Sequence, residues 1–176
     1  MKELTFENSK EFAEINFKQL DSKYYQQNMI HSRCMIKALE ELHEKEDFDL
    51  NKLKRLAWVH DIGKIKGKKD HAIKSVEILE QEFELDDVDK DCILNHGSGD
   101  HPTTKEGKLF RCSDGLSLFY PEFIQFIIDS DKEEGKSKEK IKEKIEKKFY
   151  KKYKKAYSDF PLTLEILDKN FNKIEV

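Results

Sequence analysis

The stretch Leu56-Ala57-Trp58-Val59-His60-Asp61-Ile62-Gly63-Lys64 decides how this chain is read. An apolar run delivers an imidazole and a carboxylate side by side, and a glycine follows. Adjacent histidine and aspartate side chains can share a divalent ion, and the carboxylate can bridge to a second one. One His-Asp pair alone says little. Its weight comes from the further donors: His31 upstream, then His71, His96, His101 and Asp114 downstream. Only His43 stands apart, in the charged run Glu41-Leu42-His43-Glu44-Lys45-Glu46, where it reads as a solvated helix residue.

Around that stretch the signals are helical. Three prolines and seven glycines leave few turn clusters, and no segment alternates with period two. The spacing predicts an all-α fold. Helices are expected over about 9–20, 24–44, 49–61, 71–83, 86–95, 106–119 and 121–129, then across the lysine-rich stretch, and from Pro161 to about 168. In the second helix Ile30, Cys34, Met35, Ala38 and Leu42 form the inward stripe, with His31 beside it. Asp49 and Asp70 are the expected caps of the third and fourth helices, and Gly63 is the expected turn between them. The fourth is expected to bury Ile73, Val76, Leu79 and Phe83. His60 and Asp61 then close one helix, His71 opens the next and His96 closes the one after. Helix ends of this kind can converge on one face of a bundle. The clearest loop is Gly97-Ser98-Gly99-Asp100-His101-Pro102-Thr103-Thr104.

Length and composition fit one soluble domain, 1–176, with a real core: 37% of residues are hydrophobic and 39% charged. No apolar run approaches the roughly 18 residues a membrane span needs. The N-terminus, Met1-Lys2-Glu3-Leu4-Thr5-Phe6-Glu7-Asn8, is too polar for a secretory signal. Cys34, Cys92 and Cys112 are odd in number and lack C-x-x-C spacing, which argues against a disulfide framework or a zinc ribbon and for a cytoplasmic home. Net charge is -3, yet residues 136–155 carry 11 lysines against 3 glutamates, leaving the remainder strongly acidic. Within and beyond that segment Ile141, Ile145, Phe149, Tyr153 and Tyr157 recur every fourth residue, a narrow apolar stripe on a charged rod.

The donors suggest a specific chemistry. His31, His60, Asp61 and Asp114 are expected to hold one ion. His71 and His96 are expected to hold a second, bridged by Asp61, with His101 a further candidate. Mixed imidazole and carboxylate donors without sulfur favour manganese, iron, nickel, cobalt or zinc over calcium. Water shared between such ions becomes a nucleophile near neutral pH, and the ions offset charge on a phosphoryl oxygen. Lys64 can contact a substrate phosphate. His101, on the loop, is the candidate proton donor to the leaving oxygen.

This pattern resembles the HD superfamily of metal-dependent phosphohydrolases. The family motif is a histidine, a His-Asp pair and a distant aspartate, all on helices; here those positions read His31, His60-Asp61 and Asp114. His60-Asp61-Ile62-Gly63-Lys64 is similar to the five-residue signature of one subset, in which later histidines complete a second metal site, as His71 and His96 would. The resemblance covers about residues 24–120. It implies an HD-type helical bundle with additional C-terminal helices over about 136–176. It also implies a metal-dependent phosphatase or phosphodiesterase holding one or two divalent transition-metal ions. The expected partner is a small-molecule phosphate ester; nucleic acid, bound through the lysine-rich helix, is the less favoured one, and no membrane is expected. The family's chemistry leaves two alternatives: a di-iron oxygenase on the same donors, or a non-catalytic ligand- or RNA-binding module.

Overall fold

Capping chemistry sets most helix starts in the computed structural model, which describes residues 1–157 and 160–176. Thr5 Oγ1 accepts from the Asn8 amide while Asn8 Oδ1 accepts from the Thr5 amide. This reciprocal box starts α1 (Phe6–Phe17) one turn before the expected Ser9. Asp21 caps α2 (Ser22–His43) and Asp49 caps α3 (Leu50–Val59), each accepting from the amide three residues on. Asp70 does not cap α4 (His71–Leu79). It sits in the left-handed region at φ 55°, and its side chain makes no cap hydrogen bond. Asp86 and Thr104 cap α5 (Asp87–Leu94) and α6 (Lys105–Ser117). Pro121 opens α7 (Pro121–Glu133), where its fixed φ suits the first turn. Ser137 caps α8 (Lys138–Glu143), a π-helical turn spans Lys144–Tyr150, and α9 (Lys151–Ala156) continues it. Pro161 opens α10 (Pro161–Phe171).

The fold is all-α; the described residues add two short strands. Lys2–Glu3 pairs in parallel with Phe83–Glu84, and the Lys2 amide donates to Glu82 O at 2.8 Å. Phe83 therefore leaves the expected fourth helix, which ends at Leu79. Ile73, expected inside, is 54% exposed, because α4 turns its Val76 and Leu79 face to the core.

A main core organises the molecule, with two smaller apolar clusters beside it among the described residues. Met35, Ala38, Leu39 and Leu42 of α2 meet Leu53, Leu56 and Ala57 of α3 and Phe110 and Leu116 of α6. Each fully buried leucine contributes about 1.5–3 kcal/mol relative to exposure. Tyr153, Tyr157, Ile166 and Leu167 join this same core, so the lysine-rich segment packs on the bundle through its apolar stripe. A four-residue repeat drifts by about 40° per step around an α-helix. The wider π turn at Lys144–Tyr150 takes back that drift, and both Ile141 before it and Tyr153 after it stay buried.

Gly63 serves differently from the expected turn. The chain passes His60 and Asp61 into a 3₁₀ turn, Ile62–Lys66, and reverses at Gly67 with φ 105°. Gly63 is where α4 presses on that turn: a Cβ there would lie 2.0 Å from His71 O. Its amide donates to Ser75 Oγ at 2.8 Å. Among the described residues no helix is long and apolar enough to cross a membrane. Cys34, Cys92 and Cys112 are buried and unpaired.

Candidate metal centre

Six side chains from five places in the chain converge at one end of the bundle. His31 comes from the middle of α2, His60 and Asp61 from the end of α3, and His71 from the first turn of α4. His96 follows α5, and Asp114 comes from α6. His31 Nε2 lies 3.0 Å from Asp114 Oδ1 and 3.3 Å from His60 Nε2. His60 Nε2 is 3.5 Å from both Asp61 Oδ2 and Asp114 Oδ1. On the other side, His71 Nε2 is 3.1 Å from His96 Nε2 and 3.1 Å from Asp61 Oδ1. Asp61 thus turns one oxygen to each pair of histidines.

Hydrogen bonds behind the rings fix which nitrogen faces inward. Nδ1 of His60, His71 and His96 lies 3.1, 3.0 and 2.6 Å from the carbonyls of Ala57, Lys68 and Ile93. A carbonyl only accepts, so each Nδ1 carries a proton. Ser117 Oγ spends its proton on Asp114 O at 2.5 Å and so accepts from His31 Nδ1 at 2.8 Å. Four Nε2 atoms therefore face the two carboxylates, and in the neutral rings each offers a lone pair. Lone pairs brought this close repel unless a cation or proton lies among them. Asp61 Oδ1 is buried and has no hydrogen-bond partner among the described residues, which is costly unless something positive satisfies it. Among the described residues three overlapping sets fit a metal: His31-His60-Asp61, His60-His96-Asp114 and Asp61-His71-His96. Their donor atoms lie within 4.8 Å of one another.

The electrostatics point the same way. Burial pushes both carboxyls up, but for Asp61 the Lys64 ammonium and the surrounding imidazoles outweigh it and hold it well below its usual value. Asp114 is likewise lowered, chiefly by His31 and His60. Burial depresses His60. For His96 burial also acts downward, yet Asp61 and Asp114 raise it to about 9. The pocket is thus built around one buried and one largely buried anion, which draw positive charge.

A cavity of about 410 Å³ opens over these groups. Lys64 lines it and donates to Asp61 Oδ2. His101 does not reach it. The Gly97 amide donates to Asp100 Oδ2 at 2.8 Å, Arg111 Nη1 donates to Asp100 O at 2.8 Å, and Pro102 is buried. The loop is tied down on both sides of His101, whose side chain is exposed to solvent. The expected proton donor stands outside the cavity. His43 is exposed at the end of α2.

Other residues of the cavity wall escape a reading of the sequence. Asn28 lines it one turn before His31, a position that helical spacing from His31 would have found. Lys152 and Tyr153 line it from α9. Lys152 is hidden among identical neighbours and carries no signal of its own; Tyr153 reads only as part of the apolar stripe.

The family model of the HD domain matches residues 28–118, more than half of the chain and a span containing all six donors. No curated protein and no solved structure matches the chain.

Proposed function

The chain belongs to the HD-domain family, and from that premise we propose that it is a metal-dependent phosphohydrolase. Its substrate in this reading is a phosphomonoester or phosphodiester of a nucleotide or related small molecule, cleaved by water. The observation that carries the reading is the buried Asp61 carboxylate. One of its oxygens faces His71 and His96, the other faces His31 and His60, and the first lacks any hydrogen bond.

His31, His60, Asp61 and Asp114 would hold one ion, and His71 and His96 a second, with Asp61 shared. Manganese, iron, nickel, cobalt or zinc suits such donors. Divalent ions bound there acidify water and offset charge on a phosphoryl oxygen. The protein's own groups supply the rest. The carbonyls of Ala57, Lys68 and Ile93 and the Ser117 hydroxyl lock the imidazoles, so no ring must reorient during reaction. Lys64 places an ammonium at the cavity wall beside Asp61, where it can hold a phosphate oxygen. Burial of His60 and His96 keeps bulk water from the ligating nitrogens.

Metal analysis of the purified protein, joined to a screen of phosphate esters with each divalent metal, tests this. One or two transition-metal ions per chain and ester hydrolysis that chelators abolish are expected. No hydrolysis with any metal, together with oxygen consumption by the iron-loaded form, would overturn it in favour of an oxygenase.

A further inference from the structure

We propose that Lys152 and Tyr153 form a second anion subsite on the wall of the cavity. It takes an anionic group of the substrate other than the phosphoryl group being hydrolysed. The inference rests on the phosphohydrolase reading. It concerns residues outside the stretch 28–118 that carries the family's pattern.

The placement is built into the fold. Gly115 follows Asp114 directly, and a Cβ on it would lie 2.5 Å from Tyr153 Cδ1 and 2.2 Å from Tyr157 Oη. The absence of that Cβ lets two tyrosine rings of the lysine-rich segment lie on α6 beside Asp114. Tyr157 Oη donates to Arg111 O at 2.7 Å, and Arg111 Nη2 donates to Ala156 O at 2.7 Å. These bonds anchor the end of α9 on α6. Tyr153 is buried, its ring centroid 6.3 Å from that of Phe119 in an edge-on arrangement. Unlike Tyr157, its hydroxyl has no hydrogen-bond partner among the described residues.

Lys152 differs from the paired lysines around it; Lys148 and Lys155 share its lack of a carboxylate partner among the described residues but do not line the cavity. Lys147 pairs with Glu143 at 2.7 Å, Lys151 with Glu146 at 2.9 Å and Lys154 with Asp168 at 3.1 Å. Lys152 has no carboxylate partner among the described residues, Asp61 and Asp114 included, and its Nζ rests 5.1 Å from the Tyr153 ring centroid. An ammonium and a hydroxyl, neither with a protein acceptor among the described residues, thus line one cavity. Together they suit an anion. Lys64 is already held at Asp61 and serves the phosphoryl group there. Lys152 comes from a different element and serves another group.

The test compares adenosine 5′-monophosphate with adenosine 3′,5′-bisphosphate on the metal-loaded full chain. The wild type should favour the bisphosphate. Lys152→Ala should raise KM for the bisphosphate roughly 10- to 100-fold, the loss of one charge-assisted contact. Its kcat, and both constants for the monophosphate, should stay near wild type. Tyr153→Phe keeps the ring on Gly115 and should shift KM in the same direction by less. Lys151→Ala, which removes a paired lysine, should behave as wild type. Equal losses on both nucleotides, or none, would overturn the subsite. If the wild type hydrolyses neither nucleotide, calorimetric binding of the two decides separately. Tighter bisphosphate binding that Lys152→Ala abolishes supports the subsite even as the hydrolase reading fails, and equal affinities overturn it.

Discussion

Asp61 Oδ1 stands 3.1 Å from His71 Nε2, while Asp61 Oδ2 faces the opposite histidine pair. Removing one partner or the other should therefore have unequal effects. His71→Ala should lower bound metal to one ion per chain. Asp61→Ala should remove both and abolish metal-dependent turnover, with the helices intact by circular dichroism. Metal counted by elemental analysis checks this. A normal metal content in Asp61→Ala would contradict the shared-carboxylate arrangement.

Lys64 should matter for substrate more than for metal. It lies in the cavity and donates to Asp61 Oδ2. Lys64→Ala should reduce turnover of a phosphate ester roughly 10- to 100-fold, since one charge-assisted hydrogen bond is worth about 1.5–3 kcal/mol. Metal stoichiometry should not change. Unchanged kinetics would make Lys64 an ordinary surface residue.

Gly63→Ala should be the most damaging small substitution near the site. Its Cβ would meet His71 O at 2.0 Å and the Ser75 amide at 2.6 Å, both backbone atoms of α4 that cannot step aside singly. Overpacking of this kind costs about 1–3 kcal/mol or more. Denaturant unfolding should show that loss. The ion bound through His71 should weaken with it, because α4 carries that histidine. An unchanged unfolding midpoint would count against the close approach.

The loop before α6 has an acid-sensitive anchor. Asp91 accepts from the Thr103 and Thr104 amides at 3.0 and 2.8 Å and from Thr104 Oγ1 at 2.6 Å. Burial raises its carboxyl, but these donors outweigh burial and hold it below the usual carboxylate range. Its folded value is depressed, so its contribution is complete above the unfolded value of about 3.9. It is lost as pH falls through the lower folded value. Asp91→Ala should cost about 2 kcal/mol at neutral pH, and the gap from wild type should close below about pH 4. A gap that stays constant down to pH 2 would show that the charge plays no part.

That the six His and Asp side chains would gather at one place could be read from the sequence because of their chemistry. His31, His60, Asp61, His96 and Asp114 lie on or beside apolar helical stripes, where titratable groups need a partner. The Asp49 cap was visible in the same way, whereas Asp70, read as a cap by the same logic, sits in the left-handed region and caps nothing. Other features depend on which distant elements meet, and no local pattern encodes that. Gly63 reads as a turn because its contact with α4 belongs to tertiary packing. Ile73 reads as buried because a helical pattern does not say where the core ends. His101 reads as a site residue by its place in sequence beside His96, but bonds from Asp100 to Gly97 and Arg111 lead the loop elsewhere. Lys152 acquires meaning only once the lysine-rich rod is docked on Gly115.

The π turn at Lys144–Tyr150 amounts to one extra residue threaded into an otherwise α-helical rod. Deleting a single codon within it would leave a regular helix with its composition nearly unchanged. Eleven residue steps in place of twelve between Ile141 and Tyr153 would advance by about 1100°, within about 20° of three full turns, so Lys152 and Tyr153 would keep their face. A deletion beyond the turn would instead swing every later side chain by about 100° about the axis. The turn is thus the one place in this rod where a change of length leaves its register intact.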